Sequence, residues 1–325
     1  MSIISFAREH RQEVSNPGIP LDLEWIHRLR VNRSAVDRRC STLPGRRSVK
    51  KEWQTAWLLR ALTCIDLTTL DGADTPGNVH RLCAKARNPL RQDIVERLEM
   101  ADITVGAVCV YPALVERAVK ALEGSRIPVA SVAAGFPDGL TPMATRVDEV
   151  RRALEAGAAE IDIVVRREWI LTANWEALHE EIQAFREAAG SAHLKVILGT
   201  GNLGTLTHVA RASLVAMMAG ADFIKTSTGK ESVNATLPVS LVMVRTLRDY
   251  CRQTGNVVGF KPAGGIRKAK DSLAYLSLIR EELGSRWVHN HCFRFGASGL
   301  LGDICRQIEH SLTGRYASGR RHPMS

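Results

Sequence analysis

The sequence predicts an α/β chain closed as a (β/α)8 TIM barrel with an N-terminal helical extension. Three observations predict it. From about residue 60, short β-branched runs alternate with longer amphipathic stretches; the short runs number eight; and together they cover roughly 250 residues, the count and length of that barrel. A doubly wound open sheet is the alternative the same alternation allows.

Taken in order, residues 1–60 come first and hold "LDLEWIHRLRV" and "VKKEWQTAWLLRAL", whose apolar spacing is helical; both are expected to pack over the N-terminal end of the barrel. Strands are expected at 62–68, 104–111, 128–136, 160–165, 193–198, 222–227, 257–261 and 292–297. Between them lie helical stretches such as "MATRVDEVRRALEAGA", "NWEALHEEIQAFREAAG", "LTHVARASLVAMMAGA", "PVSLVMVRTLRDYCRQTG" and "AKDSLAYLSLIREELG". Each stops near a glycine (Gly157, Gly190, Gly220, Gly255, Gly284), where a helix C-terminus favours one. The barrel is thus placed at 61–313 and a basic tail at 314–325.

A hydrophobic fraction of 45% and a charged fraction of 24% suit a globular core. The start "MSIISFAREHRQEV" has no apolar leader, and no run reaches the ~18 apolar residues of a membrane span, so a soluble cytoplasmic protein is expected, with no membrane partner. Seven cysteines without a C-x-x-C pair fit a reducing compartment and small buried hydrophobes. The net charge of +10 is concentrated at the ends: residues 1–60 hold twelve Lys/Arg against six Asp/Glu, and 314–325 hold three Arg and no acid. The run "RRCSTLPGRRSVKK" (38–51) is the candidate surface for nucleic acid or a scaffold, with a solvated arm as the expected reading.

Barrels of this kind place working residues at the C-terminal ends of strands and in the loops that follow. That rule selects Asp66, Asp162, Lys195, Lys225 and Lys261. The apolar or β-branched neighbours of Asp162, Lys195, Lys225 and Lys261 are expected to point these four into the barrel, where unpaired charge is costly. Two ammonium groups about 6 Å apart repel by roughly 3 kcal/mol at an effective dielectric near 20, or about two pKa units. Such repulsion between Lys225 and Lys261, with desolvation, yields a neutral amine able to attack a carbonyl carbon, while Asp162 moves protons. The loops "KPAGGIR" and "FGASG" are candidates to cradle a phosphate through Gly264, Gly265, Gly296 and Ser298, with Thr228, Gly229 and Lys230 along another edge. A small phosphorylated aldehyde or ketone is the substrate class this implies.

The stretches "IDLTTL", "VCVYP", "EIDIVV", "LKVIL", "DFIKTSTGKESVNAT", "VGFKPAGGIR" and "RFGAS" fall in order across 61–313, and at these residues the chain resembles the deoxyribose-phosphate aldolase family of class I, Schiff-base aldolases. The long N-terminal segment and "TGRYAS" resemble its eukaryotic form. The resemblance implies reversible cleavage of 2-deoxy-D-ribose 5-phosphate to D-glyceraldehyde 3-phosphate and acetaldehyde in deoxyribose phosphate catabolism. It assigns Lys225 as the Schiff-base lysine, Lys261 as the cation beside it and Asp162 as general acid/base. Asp66 and Thr68 then line the site with Lys195 in its polar network, and Gly264, Gly265 and Ser298 carry the phosphate. No metal or other cofactor is expected, and a homodimer is. Two positions depart from the family pattern: Gly299 stands where a second Ser or Thr is common, and Asn202 replaces a carboxylate, with an expected perturbation of the local network.

Two motifs are read as decoys. "GTGNLG" (199–204) matches the dinucleotide fingerprint but follows the fifth strand, and Asp222 begins its strand instead of ending it, so NAD is not expected. "HNHC" (289–292) has metal-ligand residue types but precedes the eighth strand, on the side away from the site. A metal-dependent aldolase or isomerase needs His and carboxylate ligands at strand ends, where lysines stand.

Overall fold

The computed structural model describes residues 14, 16–46, 52–100, 103–318 and 322. Seven strands form one parallel sheet in sequence order: β1 (Asp66–Thr68), β2 (Ala107–Val110), β3 (Val129–Ala133), β4 (Glu160–Val164), β5 (His193–Ile197), β6 (Phe223–Lys225) and β7 (Gly259–Lys261). The eighth expected segment, 292–297, makes isolated bridges instead of a regular strand. Phe293 pairs with Phe260 and Gly296 with Ala263 on one side, and Phe295 pairs with Ile65 on the other. Pro262 lies in that ladder and has no N–H to donate, although its carbonyl accepts from Gly296 at 2.9 Å. The segment nonetheless joins the two edges of the sheet, because Phe260 N–H donates to Cys292 O and Asp66 N–H to Phe295 O, each at 2.9 Å. The sheet is therefore curled, not open and doubly wound.

Strand ends fall short of the sequence expectation for local reasons. Leu62 and Thr63 belong to the preceding helix, so β1 starts at Asp66. Ala134 and Gly135 take φ of 64° and 72°, which ends β3 before Phe136. After Lys225 the side chains of Thr226 and Ser227 turn to the β7 loop, and β6 stops.

Thirteen α-helices are present among the described residues. The N-terminal ones are α1 (Leu23–Arg28), α2 (Arg33–Thr42) and α3 (Glu52–Thr63). Next come α4 (Pro76–Arg87), α5 (Gln92–Arg97), α6 (Val115–Ala121), α7 (Met143–Glu155), α8 (Arg167–Leu171) and α9 (Trp175–Ala189). The last four are α10 (Leu206–Met218), α11 (Leu237–Thr254), α12 (Ala269–Leu283) and α13 (Gly299–Thr313). Side-chain caps fix several starts: Asn174, Thr205 and Thr236 accept from the N–H groups of Ala177, His208 and Val239. Because both faces of a parallel strand are covered, outward Ile161, Ile163 and Val196 are fully buried beneath the helices.

The N-terminal helices pack on the helices of the barrel. α1 packs on α10, α2 on α11, and α3 on α12 and α13. Asn16 fixes this segment by donating to Met217 O and Ala221 O at 2.9 and 2.7 Å, and Tyr250 OH donates to Asn16 Oδ1 at 2.9 Å. Part of the basic run is consumed in this packing. Arg46 pairs with Glu281 at 2.8 Å and Arg39 with Glu282 at 3.3 Å; residues 47–51 and much of the 314–325 tail lie outside the described residues. No disulfide joins the seven cysteines, all but Cys251 being buried. No described helix is long and apolar enough to cross a membrane.

Candidate active site

Strand geometry brings the predicted charges together. Glu160 and Asp162 are two apart on β4 and so share its inward face. Lys195 stands directly opposite Asp162 in the β4–β5 register, and Lys225 opposite Lys261 in β6–β7. Lys225 Nζ donates to Asp162 Oδ2 at 2.7 Å, and Lys261 Nζ donates to the same oxygen at 2.8 Å. Lys195 Nζ donates to Asp162 Oδ1 at 2.8 Å and pairs with Glu160 at 2.6 Å. Lys261 also donates to Asp66 Oδ2. Beneath this tier Arg294 donates to Asp66 Oδ1 at 2.7 Å and to Glu160 Oε1 at 2.9 Å. Lys195 and Lys261 are 0% and 1% exposed, whereas Lys225 is 4% exposed, so the amine nearest solvent is the one assigned as nucleophile.

Electrostatics divides the lysines. Burial pushes Lys225 below its ordinary value; Asp162 opposes this, and the Lys261 cation adds to it. Desolvation therefore leads and the neighbouring cation follows, a reversal of the emphasis that sequence alone gave. Against the same burial, Asp162 and Asp66 hold Lys261 above its ordinary value, and Asp162 and Glu160 do so for Lys195. Despite its own burial, Asp162 is held well below the carboxylate range by Lys195, Lys225 and Lys261. The resting site thus contains an ionised carboxylate touching the single lysine that is driven toward neutrality.

The loops around this cluster are partly committed. Gly264 N–H donates to Gly296 O at 2.9 Å, and Gly296 N–H to Pro262 O. A Cβ on Gly296 would lie 2.7 Å from that of Ala263 and 3.4 Å from Lys261 Cε, so this glycine serves close packing rather than an anion. The Ser298 hydroxyl is spent on Thr68, donating to its carbonyl and accepting from its N–H at 2.7 Å each. Thr228 donates through both N–H and hydroxyl to Glu231, and its hydroxyl accepts from Lys230 N–H. By contrast, the N–H groups of Gly229, Gly265 and Gly299 meet no backbone acceptor among the described residues outside the helices. The Cα of Gly264 lies 4.0 Å from where a Cβ on Gly229 would stand, which brings the two loops side by side.

Sequence reasoning missed Glu160 and Arg294. Both carried the signal used for the lysines, a charge inside an apolar run: Glu160 opens "EIDIVV" in phase with Asp162, and Arg294 is flanked by Phe293 and Phe295. It also missed the clip formed by Thr226 and Ser227, where Ala263 N–H donates to Thr226 Oγ1 at 2.9 Å and Ser227 Oγ donates to Ala263 O at 2.6 Å. Asn202 is exposed and stands outside the ion-pair network of the strands. The "GTGNLG" loop has no room for a pyrophosphate at its second glycine, where a Cβ on Gly201 would lie 2.0 Å from Val233 O. In "HNHC", His289 Nδ1 accepts from His291 N–H, and no metal-binding group of His, Cys, Asp or Glu occurs among the described residues.

A curled parallel sheet with alternating helices and an acid–base cluster inside its strands is the arrangement of a β/α-barrel-type enzyme. Residues 60–285 match the model of the DeoC/LacD family aldolases. The chain belongs to that aldolase family. It is 61% identical over 314 residues to the human deoxyribose-phosphate aldolase, covering 95% of this chain and 99% of the human one. Two solved structures show the same fold: the aldolase QR15 (24% identity, TM-score 0.59, 78% of this chain and 97% of that one) and the tetrameric deoxyribose phosphate aldolase of Aeropyrum pernix (22%, TM-score 0.57, 79% and 93%).

Proposed function

We propose that the protein is a class I aldolase that reversibly cleaves 2-deoxy-D-ribose 5-phosphate to D-glyceraldehyde 3-phosphate and acetaldehyde through an imine on Lys225. One observation carries the reading: a buried amine pushed toward its neutral form, hydrogen-bonded to an ionised Asp162 at 2.7 Å. The neutral amine attacks the C1 aldehyde carbon, and loss of water leaves a cationic imine. Removal of the C3 hydroxyl proton by Asp162, directly or through one water, breaks the C2–C3 bond. Its electron pair passes into the imine as an enamine, and glyceraldehyde 3-phosphate leaves. Protonation of the enamine carbon and hydrolysis then release acetaldehyde and restore Lys225. Lys261, held charged by Asp162 and Asp66, balances Asp162 and relays the proton.

The phosphate rests on the N–H groups of Gly229, Gly265 and Gly299 with Lys230 at the rim, the last of these glycines opening the 15-residue helix α13. Gly264 and Ser298 shape that cradle through their own hydrogen bonds, and Thr68 holds Ser298. Closure of the barrel through the bridges of 292–297, a homodimeric assembly and a cytoplasmic location belong to the same reading. The assembly is checked by sedimentation. Pairing of Arg39 and Arg46 with Glu281 and Glu282 favours a packing role for the basic segment over nucleic-acid binding.

Borohydride reduction in the presence of deoxyribose 5-phosphate is expected to trap a covalent adduct on Lys225, located by peptide mass. An adduct on a different lysine, or none from active protein, would overturn the assignment.

A further inference from the structure

The buried charges inside the barrel follow a closed path. Arg294 pairs with Asp66 Oδ1 at 2.7 Å and Glu160 Oε1 at 2.9 Å. Lys195 pairs with Glu160 Oε2 at 2.6 Å and Asp162 Oδ1 at 2.8 Å. Lys261 pairs with Asp162 Oδ2 at 2.8 Å and returns to Asp66 Oδ2. Three cations and three carboxylates alternate around a neutral ring in which all six oxygens are taken. Lys225 stands outside it, and its only acidic contact among the described residues is Asp162 Oδ2, an oxygen that Lys261 already holds.

We propose that Arg294 is a positioning residue for the catalytic amine: by closing this ring with a charge that does not titrate, it leaves Lys225 as the one cation in the site without a carboxylate oxygen of its own. The proposal rests on the reading of Lys225 as the imine-forming lysine. Arginine suits the task because its planar fork spans two carboxylates and stays charged at any working pH. Lysine at 294 keeps the charge but not the fork. A third contact fixes the fork, since Arg294 Nε donates to Asn290 O. The "HNHC" stretch thus serves the site through its backbone, not as a metal ligand set.

The other groups facing the amine do not alter the count. Cys109 on β2 is pushed up to about 11 by burial and stays a neutral thiol, and β3 presents Ala130 and Val132. The directions agree with the ring: Arg294, Lys195 and Lys261 are all held above their ordinary values and Lys225 alone is lowered.

Two substitutions pull in opposite directions. Arg294→Met removes a ring cation and frees carboxylate charge for Lys225, so the acid limb of kcat/KM should move up by about one pH unit, with roughly tenfold less borohydride-trapped adduct on the acid limb and recovery at alkaline pH. Arg294→Lys should return the limb toward the parent profile. Glu160→Gln removes a ring anion and should move the limb down. A residue that merely supports the fold lowers activity without opposite displacements of the pH profile. The parent protein supplies a measurement that needs no variant. In trace acetylation with peptide mass readout, Lys225 should react at neutral pH while Lys195 and Lys261 stay unmodified. Equal labelling of the three, or folded variants whose profiles do not move or move the same way, overturns the proposal. Absence of any adduct on Lys225 in active parent protein overturns the imine reading instead.

Discussion

Lys225 and Lys261 donate to one and the same oxygen, Asp162 Oδ2, at 2.7 and 2.8 Å. Their ammonium nitrogens are therefore at most about 5.5 Å apart, a separation fixed by a shared acceptor and by facing positions in the β6–β7 register. Lys261→Leu removes the cation and leaves the oxygen to Lys225 alone. Both effects favour the Lys225 ammonium. The acid limb of kcat/KM is expected to rise by about two pH units and the neutral-pH rate to fall roughly 100-fold. A pH–rate profile checks this, and an unmoved limb would show that burial alone sets the Lys225 amine.

Asp162→Asn keeps the shape of the hub and removes its charge. Three lysines then lose their common anion, and the proposed base for the substrate hydroxyl proton is gone. Activity is expected to fall by about 10³-fold. Stability should fall by roughly 3–5 kcal/mol, because breaking a buried ion pair leaves its partners uncompensated. Denaturant unfolding of parent and variant measures the second quantity independently of the first.

Much of this site was legible because buried charge is rare. A lysine or aspartate inside an apolar run stands out, and the two-residue period of a strand then says which face it takes. That logic reached Asp66, Asp162, Lys195, Lys225 and Lys261. Glu160 and Arg294 carried the same signal, but they sit a layer deeper than the strand ends to which the reading was confined. The phosphate loops were legible only as glycine content. Which N–H groups are free depends on where the neighbouring chain lies: Gly264 donates to Gly296 and Ser298 is held by Thr68, pairings between segments far apart in sequence. For the same reason the eighth strand looked regular until Pro262 was seen in its ladder. Which barrel helices the N-terminal segment packs on depends on contacts such as Asn16 with Tyr250, which no local pattern encodes.

Gly299 offers a direct test of the phosphate cradle. No atom lies within 4 Å of where its Cβ would be, and its backbone angle is not in the left-handed region. Gly299→Ser is therefore expected to fold normally and to place a hydroxyl beside the start of α13, lowering KM for the phosphorylated substrate about threefold, worth roughly 0.6 kcal/mol, with kcat unchanged. Unphosphorylated 2-deoxyribose should show no gain, and an equal gain for both sugars would place the phosphate elsewhere.

Gly264→Ala is expected to act in the opposite sense. Gly264 has φ of 74°, and a Cβ there would meet the Asn234 side chain at 2.7 Å. Because Asn234 donates to Glu231 O and Glu231 holds Thr228, the displacement reaches both loops at once. Backbone strain of this kind costs about 1–3 kcal/mol. KM for the phosphorylated substrate should rise about tenfold or more, with a smaller change for the unphosphorylated sugar.

Acid should unfold the protein through its interior. Against burial, Asp66 is held below its ordinary value by Lys261 and Arg294, Glu160 by Arg294 and Lys195, and Asp162 by its three lysines. In the unfolded chain these carboxyls titrate near 4. Between that pH and the lower folded values the unfolded state binds more protons, so stability rises with pH there. The contribution is complete above about pH 5 and is lost as pH falls through the folded values. Lys225 acts at the other end: its folded value lies below that of a free lysine, so it too adds stability as pH rises toward about 10.4. Denaturant midpoints measured from pH 3 to 10 should fall steeply below about pH 4 and fall again above about pH 8.5, where buried thiols such as Cys64 and Cys109, each pushed up to about 11 by burial, keep protons that the unfolded chain loses. Replacing Lys225 by Met should steepen the alkaline fall, because the opposing Lys225 contribution is lost, and leave the acid fall in place; an unchanged alkaline slope would mean that Lys225 does not titrate differently in the folded and unfolded states.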